Sequence, residues 1–391
     1  MKNIVVLFMT MIMLCLASCV YETPPPDSHE PKREDQVSIV FVNVGKADSI
    51  LLKINDRVYL IDAGEKESVP ALFRALSIMD VERIDGLFLT HTHSDHIGGT
   101  EALVQRYQVA QLYSAEISQN NKKGENKIVQ LAEKLGLAHT KLKVGDEIEV
   151  GENSSFHVIA PIVYNDVDDN DNSLVLLIEF NGKRFLFTGD MQFAEEKSIL
   201  TSGVKIDSHV LKVGNHGNPD ATSSSFAKAV SPEYAIISTD TTKDSDSANS
   251  LVIANLYPAT ILITQDYACG IKMDIDMDGI ISVSDLQAVP ATADLEVTGI
   301  DTVNQIITIK NNGQFVDLSE YFIVSERGSE MFVFQEGSTI EMGQTITIAC
   351  KGGTGDFIWD DKNVWHKTKS DAGTLYDCNG NEISHRVTGI Q

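Results

Sequence analysis

Positive charge is scarce in this chain. Lysine and arginine number 31 against 56 aspartates and glutamates, a formal net charge of −25 over 391 residues. Such a surface repels a polyanion like duplex DNA unless cations intervene, which argues against nonspecific nucleic-acid binding. Cysteine is scarce as well: there are five, none with zinc-finger spacing. The apolar run Ile4 to Leu16 is too short for a comfortable membrane span, which needs about 20 residues. Nor is the composition that of a disordered chain, since 42% hydrophobic and 22% charged residues with 27 glycines is ordinary for a globular protein. The length suffices for two domains and at least one large core.

What the N-terminus does contain is Lys2, the apolar run and then Leu16-Ala17-Ser18-Cys19. That tetrapeptide resembles the lipobox of bacterial lipoproteins, which implies cleavage before Cys19 and a lipid on it, with an ordinary secretory signal as the alternative. Val20 gives no inner-membrane retention signal of the aspartate kind, so a membrane anchor at the outer membrane or cell surface is expected. Residues 20–36, with Pro24-Pro25-Pro26, read as a stiff tether. With Cys15 removed and Cys19 acylated, an oxidising compartment permits a Cys350 to Cys378 disulfide and leaves Cys269 odd.

From Val37 onward, strand-length apolar runs alternate with amphipathic stretches. Ser38 to Val44, Ser49 to Ile54, Arg57 to Ile61 and Gly86 to Thr90 read as strands, and Val69 to Met79, Gly99 to Arg106 and Asn126 to Leu135 as helices. Asn181-Gly182 between Ser173 to Phe180 and Lys183 to Thr188 predicts a hairpin. Strand and helix then recur to Thr264. After about Ala288 helical periodicity fades and short strands between turns predict a small β-sandwich. The expected division is 1–19 leader, 20–36 tether, 37–287 first domain and 292–391 second domain, with a boundary near Pro290.

The most informative run is His91-Thr92-His93-Ser94-Asp95-His96, directly after a buried strand. Activating water at neutral pH takes ligands that lower its pKa and open positions for substrate. His91 and His93 are suited to one metal, Asp95 and His96 to a second. Thr188-Gly189-Asp190 ends the hairpin strand with a carboxylate able to bridge both. Gly214-Asn215-His216-Gly217 ends another strand with an imidazole among glycines that let the backbone approach closely.

HTHSDH, LIDAG at Leu60 to Gly64, FTGD at Phe187 to Asp190 and LKVGNHG at Leu211 to Gly217 together resemble the metallo-β-lactamase superfamily. FVNVGKADSILL at Phe41 to Leu52 and NSLVLLI at Asn172 to Ile178 are similar to the hydrolase domain of the ComEC/Rec2 competence proteins. The resemblance covers about Val37 to Ser284. It implies an α/β fold, a four-layer αββα sandwich, with the site at one edge of the two sheets. It implies two divalent ions, zinc first and manganese or iron also suited. His91, His93 and Asp190 would hold one, Asp95, His96, Asp190 and His216 the other. Asp62, Asp48 and Asn172 would support the ligands, and Asp95 and Asn215 would face the reaction.

Four departures stand out. Relatives carry two successive histidines where this chain has Asn215-His216, and asparagine cannot shuttle a proton at neutral pH. Lys46-Ala47 replaces a usual Gln-Gly pair, and Asn218 a usual serine. No histidine lies in Asp168-Asp169-Asn170-Asp171-Asn172, where some relatives supply one. That run reads either as substitute ligands, Asp171 or Asn172, or as a solvated acidic loop.

Two further segments carry patterns of their own. Asp274, Asp276, Asp278, Ile280, Ser282 and Asp285, with Gly279 in the turn, match an EF-hand-like calcium loop. The competing reading is a hairpin, favoured by the alternation of Ile271, Met273 and Ile275. Gln305 to Ile309, Asn311-Asn312-Gly313, Val316 to Ser319 and Thr374 to Asp377 with Asn379-Gly380 resemble the lamin-tail domain, which implies an immunoglobulin-like sandwich that binds an unknown surface ligand or acts as a spacer. Trp359 and Trp365 read as core rather than a binding face.

The sequence thus predicts an exported, lipid-anchored metal hydrolase acting on a short anionic phosphodiester or related ester. A surface-binding protein whose metal domain has lost turnover is the alternative, motivated by Asn215. β-Lactam hydrolysis is the weaker third reading, because the middle histidine ligand is not evident.

Overall fold

The computed structural model describes residues 35–119, 126–151 and 154–388. Two mixed sheets face each other. The eight-stranded sheet runs, edge to edge, Ile281–Asp285, Gly270–Ile275, Val37–Val42, Ile50–Ile54, Arg57–Ile61, Gly86–Leu89, Leu112–Ala115 and His139–Leu142. The seven-stranded sheet runs Thr260–Ile263, Tyr234–Ile237, Val210–Lys212, Lys183–Phe187, Val175–Phe180, Ser155–Ala160 and Glu147–Glu149. Side chains alternate along a strand, and both faces here are buried. Val37, Ile39 and Phe41 join Phe88, Phe156 and Phe187 between the sheets. Val40 and Val42 face the other way, onto Leu72, Phe73 and Leu76 of the Val69–Ile78 helix and Leu103 of the Thr100–Arg106 helix. Beyond the second sheet, Ile199, Phe226 and Val252 of three further helices cover Leu186, Leu211 and Ala235. The order helix, sheet, sheet, helix is the αββα sandwich.

Most of the elements expected from periodicity form within a residue or two of the expected ends. The Asn181-Gly182 hairpin pairs Phe180 with Lys183, both turn residues at positive φ. The Phe193–Ser202 helix and the strands at His139–Leu142, Glu147–Glu149 and Ser155–Ala160 were not read from the sequence. That helix buries Glu195 and Glu196 in its first turn, which blurs the apolar stripe by which a helix is recognised.

The C-terminal region forms a β-sandwich. One sheet is Leu295–Asp301, Ile306–Asn311, Thr345–Cys350 and Phe357–Trp359; the other is Met331–Val333, Phe322–Ser325, Ala372–Tyr376 and Glu382–Val387. Trp359 and Trp365 are both buried in its core, where their rings meet edge to face at 5.7 Å. The Phe322–Ser325 strand is buried on both faces. Ile323 points into its own sandwich with Leu375, while Phe322 and Val324 point into the helix layer of the first domain. Phe322 meets Phe73 edge to face at 5.7 Å and stacks on Tyr376 at 5.0 Å. The Arg106 guanidinium lies 4.9 Å from the centre of the Phe73 ring. Burial of aromatic surface with such ring geometry makes this a firm seat.

Of the two readings of residues 274–285 the structure has the favoured hairpin, and the permitted disulfide is not formed. The calcium loop is a hairpin, with Asp274 opposite Ser282 and Ile275 opposite Ile281. Its oxygens are spread along a ladder and already engaged. Asp274 takes the Lys272 ammonium, Asp276 accepts from the backbone of Asp278 and Ile280, and Asp285 from Ala268 and Gln287. Cys350 and Cys378 are free thiols, as is Cys269. Cys350 is buried in the sandwich core, whereas Cys378 is half-buried at the seam, where its carbonyl receives the Arg106 guanidinium. The leader, Cys19 and all but the end of the tether lie outside the described residues. Among the described residues no helix is long and apolar enough to cross a membrane.

Candidate metal centre

Parallel strands deliver the loops of the site. Arg57–Ile61 and Gly86–Leu89 are parallel neighbours in the first sheet and end at Asp62 and at Thr90-His91. Lys183–Phe187 and Val210–Lys212 are parallel neighbours in the second and end at Asp190 and at the 214–217 turn. The backbone between Gly86–Leu89 and the short Ser94–Ile97 helix carries His93, which precedes that helix in an extended conformation, so Asp95 and His96 fall on its first turns. Gly189 has a φ of +51°, and a Cβ there would press on Ser173 and Thr90 at about 3.0 Å. Only glycine lets the FTGD turn fit this closely.

Three imidazoles are oriented in the same sense. His96 Nδ1 lies 2.7 Å from Asp62 Oδ2, and His216 Nδ1 lies 2.8 Å from the Ser238 carbonyl. Both acceptors lack a proton to give, so each Nδ1 carries hydrogen and each Nε2 presents a lone pair. His91 Nδ1 contacts the Thr90 hydroxyl at 3.1 Å, and that hydroxyl donates to Asp62 at 2.8 Å. The hydroxyl therefore accepts from His91, and the His91 Nε2 is also left as a lone pair.

These lone pairs converge. His96 Nε2 and His216 Nε2 stand 3.1 and 3.2 Å from Asp190 Oδ2, and His216 Nε2 stands 3.4 Å from Asp95 Oδ2. Asp95, His96, Asp190 and His216 each bring a ligand atom within 4.8 Å of the others. His91 Nε2, His96 Nε2, His216 Nε2 and Asp190 Oδ1 are buried without a hydrogen-bond partner. Acceptors facing one another at a buried point are costly unless protons or a metal cation sit between them. The nitrogen and oxygen donor set, with each far nitrogen anchored, fits a divalent transition metal. His93 belongs to the same group, its ring 4.6 Å from that of His91, and is partly exposed where His91 is fully buried.

Without a cation, charge is balanced by protons. Burial alone would lower His216, but the Asp190 and Asp95 carboxylates outweigh it and its pKa stands at about 9. His96 is likewise raised against its burial by Asp190 and Asp62. Burial would lift Asp190, yet His216 and His96 hold it well below the ordinary carboxylate range. Beneath the cluster a fully buried Lys212 ammonium contacts Asp48 Oδ2 and lies 3.3 Å from the Gly189 carbonyl. At the mouth Lys46 Nζ is 2.9 Å from Asp95 Oδ2.

The expected residues do not all meet here. Asp95, His96, Asp190 and His216 share one cluster with Asp62 and Asp48 behind it, and His91 and His93 adjoin it through ring contacts. Asn172 is elsewhere: its amide donates to the Asn165 carbonyl and Asp169, and its oxygen accepts from Asn165. Asp171 accepts from the backbone of Gln192 and Glu195 at the start of the Phe193–Ser202 helix. The acidic run is neither a ligand set nor a solvated loop. Residues 169–172 are buried, and Asp169 binds both the backbone and hydroxyl of Thr92, pinning the HTHSDH loop. Asn215 is buried with its amide committed to Asp220 at 2.8 Å. Thr90, Ser173, Ser238 and Lys212 were not singled out by sequence reasoning. Of these, only Lys212 left a signal, a lysine between Leu211 and Val213 in an apolar strand.

Comparison with known proteins agrees with the geometry. The metallo-beta-lactamase superfamily model matches residues 42–241 and the Lamin Tail Domain model residues 288–389. The chain belongs to the metallo-beta-lactamase superfamily and carries a C-terminal lamin tail domain. Its relatives within that class are competence proteins of the ComEC type. "ComE operon protein 3" of Bacillus subtilis is 33% identical over 175 residues, 45% of this chain and 22% of that protein. "Competence protein ComA" of Neisseria gonorrhoeae is 28% identical over 207 residues, 52% of this chain and 27% of that protein. "Recombination protein 2" of Haemophilus influenzae is 28% identical over 206 residues, 50% and 23%. The chain thus spans about a quarter of the length of these relatives. Family and donor chemistry together support a metal-dependent hydrolase.

Proposed function

We propose that this protein hydrolyses a phosphodiester or related ester with two divalent ions, zinc before manganese or iron, and that it works in the bacterial cell envelope on a lipid attached to Cys19. The observation that carries the hydrolytic reading is the convergence of His96 Nε2 and His216 Nε2 on Asp190, each fixed from behind by Asp62 or Ser238, with the His91 ring 4.1 Å from that of His96. Asp190 would serve both ions: its Oδ2 faces His96 and His216, its Oδ1 is buried without a partner, and His91 and His93 would supply further donors. The ions would supply electrophilic activation of the ester and of water. The chain's own residues hold the donors in one tautomer, keep the floor dry and leave His93 and Asp95 at the mouth.

Elemental analysis of the purified protein tests this reading. Close to two transition-metal ions per chain are expected, with His93→Ala and Asp190→Ala abolishing hydrolysis of a model phosphodiester while circular dichroism stays unchanged. Metal content near zero in a folded sample defeats the reading. The engaged Asn215 amide favours a second reading, a surface-binding protein whose metal domain has little turnover. A phosphodiesterase-active wild type dismisses it. A nitrocefin assay disposes of β-lactam hydrolysis.

A further inference from the structure

The lysine at the mouth has a second use. The floor of the site is closed: His91, His96 and His216 are fully buried, and Asp190 is 2% exposed. Access is on the side of Asp95, whose side chain is 17% exposed, and Lys46, at 28%. Lys46 follows Gly45, and a Cβ at Gly45 would lie 3.4 Å from the ammonium of Lys243, which itself rests on Glu65 at 3.0 Å. Two loops therefore bring cations to this rim of a chain whose net charge is −25. The partner of Lys46 is Asp95 Oδ2, the oxygen that His216 Nε2 also approaches. Asp95 and His216 would hold a metal through that same oxygen, whose hold on the ammonium would then weaken. Lys212 and Asp48 cancel beneath, and two divalent ions outweigh Asp62, Asp95 and Asp190. The loaded mouth is then locally cationic, with an ammonium on a flexible stem beside the metals. A compact point charge of that kind suits a phosphoryl oxygen.

We propose that Lys46 binds a nonbridging oxygen of an anionic phosphate ester and so selects charged phosphate esters over neutral esters and lactams. This rests on the hydrolase reading for its substrate, but not for its test. A plain ion pair at a half-open position contributes little to stability, so a structural role would leave binding untouched.

The full chain, loaded with zinc or manganese, is compared with Lys46→Gln, Lys46→Ala and Lys46→Arg. Metal content and circular dichroism are expected to match wild type in all three. Calorimetric titration with inorganic phosphate should show affinity reduced about tenfold in Lys46→Gln and Lys46→Ala and largely kept in Lys46→Arg. The KM for bis(p-nitrophenyl) phosphate should rise by a similar factor with kcat changed less than about threefold, while p-nitrophenyl acetate is hydrolysed as before. Unchanged phosphate affinity in Lys46→Gln, equal losses on charged and neutral substrates, or loss of metal overturns the assignment. If wild type hydrolyses neither ester yet binds phosphate through Lys46, the hydrolase reading falls and the anion site stands. If loaded wild type binds no phosphate, the anion site falls whatever it hydrolyses.

Discussion

Replacing Asp62 by asparagine isolates the orientation of one ligand from its identity. Asp62 has a φ of +60°, a region that asparagine tolerates as well as aspartate, so the backbone is not strained by the change. Its carboxylate accepts from the Thr90 backbone and hydroxyl and from His96 Nδ1, all between 2.7 and 2.8 Å. An amide has one acceptor oxygen. With that oxygen kept on the Thr90 backbone N–H, the introduced NH2 faces His96 Nδ1 and the Thr90 hydroxyl. His96 Nδ1 must then accept, its proton moves to Nε2, and Nε2 points that hydrogen at Asp190 Oδ2, 3.1 Å away. A metal on Nε2 then forces the hydrogen back onto Nδ1, against the introduced NH2, a conflict that the carboxylate does not create. Loss of such an outer partner weakens metal binding about 10- to 100-fold, or roughly 1.4–2.8 kcal/mol. Competition against a chromophoric chelator at pH 7.5, with the fold checked by circular dichroism, reads this directly. Zinc affinity of Asp62→Asn within about threefold of wild type refutes the tautomer argument.

Other outcomes follow from the same contacts. Burial raises Glu195 to about 7, against hydrogen bonds from the Ile162 and Val163 backbone. A raised folded-state pKa of an acid confers stability below its ordinary value that is lost as pH climbs through 7, so Glu195→Gln should melt like wild type at pH 5 and be more stable by about 1–2 kcal/mol at pH 8. The reverse pH trend in parallel thermal melts contradicts the burial argument. Lys212→Met takes from Asp48 its close partner and leaves only His96 and His216 at 3.9 Å, costing about 3–5 kcal/mol in urea unfolding, and adding Asp48→Asn should restore most of it. Phe322→Ala opens the seam against Phe73 at a cost of about 3–5 kcal/mol, and calorimetry should show the two sandwiches melting separately. One unchanged transition would show the seam to be weaker than its ring contacts imply. The apo protein should lose stability as pH rises through about 9, where His216 gives up its proton, and zinc should abolish that loss.

Much of the fold was legible because its signals are local. Asn181-Gly182 forces a tight turn whatever surrounds it, and the alternation of Ile271, Met273 and Ile275 correctly outweighed the spacing of acids that imitates a calcium loop. The acidic run 168–172 was misread in both of its alternatives. Its carboxylates are buried because they accept backbone and hydroxyl hydrogens from Thr92, Gln119, Gln192 and Glu195, partners that no local pattern displays. The Phe193–Ser202 helix went unseen for a related reason, since it buries two glutamates where an amphipathic pattern calls for apolar residues.

By itself the sequence determined which groups are available to a metal and in what order they arrive, because histidine and aspartate identities at strand ends are covalent facts. The tertiary structure decided which nitrogen of each histidine is free, for that depends on partners such as Asp62, 34 residues from His96, and Ser238, 22 residues from His216. It also decided that the Phe322–Ser325 strand has two buried faces, one of them on another domain. A strand's alternation states that both sets of side chains are apolar. It does not state what covers them, and only packing supplies the second surface.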